Sequence, residues 1–318
     1  MEELARLQRE IKGVVFPYPI MLAAGVVKTF EQAKALAATD VIPEIGSFTT
    51  MESSGNGGLD YHAEYINVGG RPVLLYTQNS LGLPNPGIAH IEKHGRELVR
   101  IYADHGKPIG INVSGTSVDD TIVLIKRALA VGFPLITVNG ACPNKFDGKD
   151  RPMPIMCFDP ESIDMLFERA EKEIGTTNTI ITWKVSAGMP HPILMHNITK
   201  VATSRVFDGI VTSNTLANTF NYDESGRPTI RTDKFGITRG GMGGPAVLPS
   251  SLGQAELAAR TLPEGKFDIG VGGVVDVNSA AKYFRAGSVL VQINSGYREA
   301  NEDPRFITHL LGDLLGVL

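Results

Sequence analysis

Short apolar runs, rich in β-branched residues, alternate along the chain with longer stretches in which apolar residues return every three or four positions. The runs fall at 20–26 (IMLAAGV), 41–49 (VIPEIGSFT), 108–115 (PIGINVSG), 135–142 (LITVNGAC), 179–186 (TIITWKVS), 209–215 (GIVTSNT), 267–274 (FDIGVGGV) and 288–295 (SVLVQINS). Most are apolar through their middle rather than strictly alternating, the pattern of a strand covered on both faces. Segments between them, such as TFEQAKALAATD, SVDDTIVLIKRALAVG, DPESIDMLFERAEKEIG and DVNSAAKYFRAGS, carry helical periodicity.

Strand alternating with helix implies parallel strands joined by right-handed crossovers. Eight such units predict an α/β fold, a (β/α)8 TIM barrel formed by residues 1–318 as a single domain. An open doubly wound sheet is the rival arrangement, but no G-x-G-x-x-G follows the first run. Two connections exceed the roughly 2–6 residues usual in such units. The one after strand 2 runs from about Thr50 to Gly87, and the one after strand 6 from about Leu216 to Ser250. Both leave C-terminal strand ends, the face where barrel enzymes keep their chemistry, so both are expected to form lids or pocket walls.

Composition narrows the class. The 318 residues are 42% hydrophobic and 20% charged, enough to bury a large core, and the formal charge of −4 offers no footprint for nucleic acid. Two cysteines are too few for a disulfide framework, which makes a reducing, cytoplasmic setting the expectation. The opening MEELARLQREIKGVVFPYPIMLAAG mixes charges and has no long apolar stretch, so neither a signal peptide nor a membrane association is expected.

The polar residues at strand ends form a set. Strand 4 ends in Asn139, Cys142 and Asn144, strand 5 carries Lys184, strand 6 ends in Ser213, Asn214 and Thr215, and the loop after strand 2 offers Asn79. Barrel topology aims them at one cavity. Carboxamides both donate and accept, so four of them suit a flat, neutral ligand edged with C=O and N–H groups. Any single asparagine is equally suited to a turn at a strand end. Glycine clusters at 239–244 (RGGMGG), 270–273 (GVGG) and 292–296 (QINSG) follow strands 6, 7 and 8, where barrels commonly bind phosphate through backbone N–H groups.

The motifs NSLGLPNPG, NVSG, VNGACPN, WKV, TSNT, GGMGGPAVLPSSL and GVGGVVDVNSAAKYFRAGSVLVQI occur in an order that resembles, over nearly the whole chain, the dihydroorotate dehydrogenases that use flavin mononucleotide (FMN). They also resemble the pyrimidine-binding domain of dihydropyrimidine dehydrogenase. Carried over position by position, the resemblance implies that Asn79, Asn139, Asn144, Asn214 and Thr215 hold a pyrimidine ring and that Lys184 sits by the flavin N1/O2 edge. It implies that Ala23, Gly25, Ser47, Asn112, Asn139, Gly243, Gly244, Gly272, Gly273, Asn294 and Ser295 line the FMN and its phosphate.

By the same resemblance Cys142 is the catalytic base. The implied reaction oxidises dihydroorotate to orotate in pyrimidine biosynthesis: Cys142 takes the ring C5 proton, α to a carbonyl, while hydride passes from the neighbouring carbon to flavin N5. An unperturbed thiol ionises near pH 8.5 or so, which makes activity rise with pH. Resemblance to the soluble class further implies a homodimer. The electron acceptor stays open between a soluble small molecule and a separate redox partner chain.

The chain departs from the soluble class at Gly46, at Gly140 and Ala141, and at Asn294 and Ser295, which stand where that class tends to have Gly-Thr with the hydroxyl kept. Gly46 stands where that class places a lysine that meets flavin and substrate carboxylate, and Lys28 in AAGVVKT matches the lysine of the membrane-associated class instead. Gly140 and Ala141 replace a usual Leu-Ser and are expected to enlarge the site. The alternative reading is therefore a related FMN-dependent enzyme acting on another cyclic, pyrimidine-like or enone substrate.

Other motifs are assigned simpler roles. His191 and His196 lack a third convergent ligand for a metal. Asp119 and Asp120 suit a helix first turn, DESGRP a hairpin tip, and Trp183 and Cys157 core packing. A flavin-free barrel with Lys184 as a Schiff base, and a barrel that has lost its chemistry, are the rivals from other classes.

Overall fold

The computed structural model describes residues 4–144 and 153–317. Eight parallel strands make the barrel: β1 (Ile20–Leu22), β2 (Glu44–Phe48), β3 (Gly110–Val113), β4 (Leu135–Asn139), β5 (Ile180–Lys184), β6 (Gly209–Val211), β7 (Phe267–Val271) and β8 (Leu290–Ile293). They pair in sequence from β2 round to β8, and β8 pairs with β1. Closure comes from a parallel bridge between Leu22 and Pro43, with Leu22 N–H donating to the Ile42 carbonyl at 2.9 Å. All eight expected strands are present, each ending earlier than its apolar run because the last residues of the run turn into the loop above.

Helices α1 (Phe30–Leu36), α2 (Ile88–Asp104), α3 (Val118–Val131), α4 (Pro160–Glu173), α5 (His191–Thr203), α6 (Leu248–Thr261) and α7 (Val277–Ala286) follow strands one to seven, and a short α8 (Ser295–Glu299) precedes α9 (Arg305–Leu315). Their starts are written locally. Thr29 and Gln32 form a capping box on α1, Asp276 and Ser279 do so on α7, and Ser117 Oγ accepts from Asp120 N–H on α3. Asp119 and Asp120 lie in the first turn of α3, as expected. An N-terminal hairpin, Arg9–Ile11 with Val14–Phe16, is pinned beside the starts of β5 and β6 by Lys12, which donates to the Thr179 carbonyl at 3.0 Å and pairs with Asp208 at 2.9 Å.

The two long connections do more than wall the pocket. Strands Tyr61–Val68 and Arg71–Asn79 from the first join Leu216–Thr219 and Gly240–Gly243 from the second in one antiparallel sheet over the C-terminal face. The seam sets Gly241 opposite Asn79 and Gly243 opposite Thr77. Glycine is required there, since a Cβ at 241 would collide with the Thr215 side chain. Asp223 N–H donates to the Arg227 carbonyl at 2.7 Å, which makes DESGRP the hairpin tip the sequence predicts.

Trp183 is buried, donates Nε1 to Asn197 Oδ1 at 2.6 Å, and meets Phe167 edge-on at 5.9 Å. Cys157 is fully buried in the core. His196 pairs with Asp164 at 2.8 Å on the outer helices, and among the described residues no group of three or more His, Cys, Asp or Glu is placed to hold a metal.

Candidate active site

The barrel axis is polar where it meets the lid. Glu44, Asn112, Thr137, Thr182, Lys184 and Gln292 are all buried on strands β2, β3, β4, β5 and β8. Immediately above them lies one cavity. It is lined by Ala23, Gly25, Lys28, Ser47, Asn79, Asn139, Cys142, Asn144, Lys184, Asn214, Thr215, Gly243, Gly244, Gly272, Gly273, Asn294 and Ser295. Of the polar residues singled out from sequence as site candidates, Ser213 and Asn112 are absent from this wall. Ser213 is fully buried and accepts from Ser251 Oγ at 2.8 Å, and Asn112 lies one layer back, fully buried, accepting a hydrogen bond from Ser47 Oγ at 2.5 Å.

The carboxamides hold one another. Asn214 Nδ2 donates to Asn139 Oδ1 at 3.2 Å, Asn139 Nδ2 donates to Ser47 Oγ at 3.1 Å, and Asn144 Nδ2 donates to the backbone and side-chain oxygens of Asn79 at 3.0 and 3.1 Å. Cys142 is 5% exposed and sits within this ring of amides, and neither cysteine is in a disulfide. Lys184 closes β5 beneath it. Burial favours the neutral form of Lys184, and the Glu44 carboxylate opposes that effect.

Gly46 adopts φ 114°, and a Cβ there would lie 2.6 Å from the Asn112 carbonyl oxygen. A lysine at 46 is therefore incompatible with this backbone. Two other cations reach the wall. Lys28 is lowered in pKa, first by burial and then by the like charge of Arg298, while Asp60 acts in the opposite sense. Arg298 donates to the Gly25 carbonyl at 2.9 Å and to Asn294 Oδ1 at 3.2 Å and lies over the Tyr61 ring. Arg298, Tyr61, Thr77 and Gln292 also line the cavity; the first three lie outside the sequence motifs, and Gln292 is marked only as a polar residue inside an apolar run. The expected enlargement of the site by Gly140 and Ala141 is not found. Neither lines the cavity: a Cβ at 140 would collide with the Trp183 indole, and Ala141 is fully buried in the core.

The wall fits a phosphorylated, flat cofactor. Gly243, Gly244, Gly272 and Gly273 present bare backbone beside Ser295 at the start of α8; a Cβ on Gly243 would stand 3.1 Å from Thr77 Oγ1 and 3.7 Å from Ser295 Oγ. Gln292 lines the same cavity, is fully buried, and its Oε1 has no hydrogen-bond partner among the described residues. An orphaned acceptor in a cavity that also presents a lysine matches a ring edge carrying both N–H and C=O.

A (β/α)8 barrel with a glycine cradle and an amide-lined cavity at the C-terminal strand ends is the architecture of a cofactor-dependent barrel enzyme. A family model described as dihydroorotate dehydrogenase matches residues 6–317, and the chain belongs to that family, whose members are oxidoreductases acting on a CH–CH group. The chain is 27% identical over 312 residues to the fumarate-type dihydroorotate dehydrogenase of Trypanosoma cruzi, covering 96% of this chain and 90% of the relative. It is 27% identical to the quinone-type enzyme of Mesorhizobium japonicum (92% and 76% covered). It is 26% identical to the catalytic subunit of the NAD(+)-type enzyme of Petrotoga mobilis (90% and 86% covered). Near-equal likeness to three acceptor types leaves the acceptor unassigned. The fold is shared with dihydroorotate dehydrogenase from Eimeria tenella, solved in complex with ferulenol, at a TM-score of 0.74 and 18% identity, over 98% of this chain and 85% of that one.

Proposed function

We propose that this protein is an FMN-dependent enzyme that oxidises dihydroorotate to orotate, a step of pyrimidine biosynthesis, with Cys142 as the base. The observation that carries the reading is the convergence of Cys142, Lys184 and four asparagines on one cavity whose far wall is a glycine cradle. When bound there, FMN supplies a two-electron acceptor for the hydride. Gly243, Gly244, Gly272, Gly273 and Ser295 are the residues to hold its phosphate, and Ala23, Gly25, Ser47, Lys184 and Asn294 its remaining edges.

The chain's own residues do the rest. Asn79, Asn139, Asn144 and Asn214, with Thr215, clamp the ring edge by edge, which holds its C5–H toward the Cys142 thiolate. Cys142 takes that proton in the oxidation. Asn112 supports the clamp from behind through Ser47. Lys28, with Arg298 near it, supplies the positive charge for the ring carboxylate that Gly46 cannot. Gly46 also favours the second reading, a related ring without a carboxylate.

The reading takes residues 1–318 as one catalytic domain with a soluble acceptor or a separate redox chain, working in the cytoplasm as a homodimer. Among the described residues no helix is long and apolar enough to cross a membrane. The outer lid strands expose Tyr65, Ile66, Val68 and Val73, an apolar face suited to a second copy. The test is stopped-flow reduction of the holoprotein by dihydroorotate, compared with Cys142→Ala. Flavin reduction at an unchanged rate in that variant removes Cys142 as the base, and product other than orotate moves the substrate to another ring.

A further inference from the structure

Glu44 is the only acidic residue on the eight barrel strands other than Asp268, and it is fully buried at the barrel axis. Three donors converge on it. Asn112 Nδ2 reaches Oε1 at 2.9 Å, and Thr137 Oγ1 and Gln292 Nε2 reach Oε2 at 2.5 and 2.8 Å. A carboxylate accepts and does not donate. Asn112 must therefore turn its NH2 toward Glu44 and its Oδ1 away.

The orientation then propagates. Asn112 Oδ1 accepts the one hydroxyl proton of Ser47 at 2.5 Å, so the Ser47 oxygen is left as an acceptor for Asn139 Nδ2 at 3.1 Å. With its NH2 committed, Asn139 turns Oδ1 to Ala141 N–H at 3.1 Å and to Asn214 Nδ2 at 3.2 Å. Asn214 in turn accepts on Oδ1 from Thr215 N–H at 2.9 Å. Each amide's orientation agrees with that of the one behind it, and the backbone N–H groups of Ala141 and Thr215 hold Asn139 and Asn214 in the same sense. The relay runs from the barrel axis to the loop that carries Cys142 and to two cavity asparagines.

We propose that Glu44 is a positioning residue: by accepting from Asn112 it fixes the amide orientations of Asn139 and Asn214, and with them the donor and acceptor pattern that a ring in the cavity must match. The inference rests on the function proposed above. Its charge has a second effect, since Glu44 favours the ammonium form of Lys184 at the cavity floor.

In Glu44→Gln the one remaining oxygen keeps two donors if it faces Thr137 and Gln292 and one if it faces Asn112, so the NH2 is expected to face the Asn112 NH2. Relief comes by turning Asn112, which leaves Ser47 facing two donors, or by turning Asn139 as well, which sets an NH2 against the Ala141 N–H. Adding Asn112→Asp restores the pattern. The new amide on β2 donates to the new carboxylate on β3, that carboxylate accepts from Ser47, and the total charge stays that of the wild type. Orotate affinity, read from its perturbation of the flavin band, is expected to weaken about tenfold or more in Glu44→Gln and to recover in Glu44→Gln/Asn112→Asp. The flavin reduction potential of the holoprotein is expected to shift in the single variant and to return toward the wild-type value in the double one.

A folded Glu44→Gln protein with wild-type orotate affinity and potential overturns the proposal, as does a double variant impaired as much as the single one. If Glu44→Gln does not fold, Asn112→Ala cuts the relay and leaves the carboxylate its other two donors; unchanged orotate affinity in that variant also overturns it. Orotate that leaves the wild-type flavin band unperturbed counts against the proposed function instead, and Glu44 is then judged by the potential, which is read without a ring ligand.

Discussion

Asn144, two residues beyond Cys142, donates from Nδ2 to both oxygens of Asn79 at the end of the lid hairpin. One side chain thus joins the segment that carries Cys142 to the lid, and both partners line the cavity. Asn144→Ala removes a proposed ring contact and leaves the Asn79 side-chain oxygen without that donor. Binding of orotate is expected to weaken by about tenfold to a hundredfold, the range for one or two lost hydrogen bonds, while FMN content stays near that of the wild type. Titration of the flavin band with orotate measures both.

In the proposed reaction Cys142 is the proton acceptor, and it lines the cavity wall. In Cys142→Ala the rate of flavin reduction is expected to fall about 10²- to 10⁴-fold, the range for losing a general base, with orotate affinity changed much less. Single-turnover reduction under anaerobic conditions separates the two quantities.

Gly243 tests the cradle without straining the chain. Its φ lies outside the left-handed range, and a Cβ there would meet Thr77 Oγ1 at 3.1 Å, so alanine is accommodated by a small shift. Gly243→Ala is expected to fold with wild-type circular dichroism and to purify with less bound flavin. Full flavin retention in this variant would place the phosphate elsewhere.

Asp268 supplies a pH dependence of stability. It is 1% exposed on β7, and burial raises its pKa to about 7 against the opposing hydrogen bond from Ser288. The fold therefore binds this proton more tightly than the unfolded chain does. The associated stability is complete below the unfolded value near pH 3.9 or so and is lost as pH rises through about 7. The loss is on the order of 2–4 kcal/mol. Asp268→Asn keeps a partner for Ser288 and carries no charge, so its thermal unfolding midpoint is expected to exceed that of the wild type at pH 8 by more than at pH 5.

The barrel is legible in the sequence because its strands are largely apolar runs buried on both faces and its helices are capped by Thr29, Ser117 and Asp276. The lid sheet is not. Tyr61–Val68 is half-exposed or exposed along its whole length, and the seam between Thr77 and Gly243 joins residues far apart in sequence, where no local pattern can reveal a pairing. The asparagines and Cys142 stand out because they cluster at strand ends. Glu44 carries a signal too: a lone carboxylate inside VIPEIGSFT has no solvent to face once the run is a barrel strand. Gln292 sits in SVLVQINS in the same way. Arg298 has no such mark, since one turn beyond the last glycine cluster it reads as an ordinary helix-surface residue.

The central claim is that the cavity above Lys184 oxidises dihydroorotate by way of bound FMN. Anaerobic mixing of the purified holoprotein with dihydroorotate, followed at the flavin band, tests it most directly. The expected result is bleaching of the band with one orotate formed per flavin. A flavin that stays oxidised in the presence of saturating dihydroorotate would contradict it.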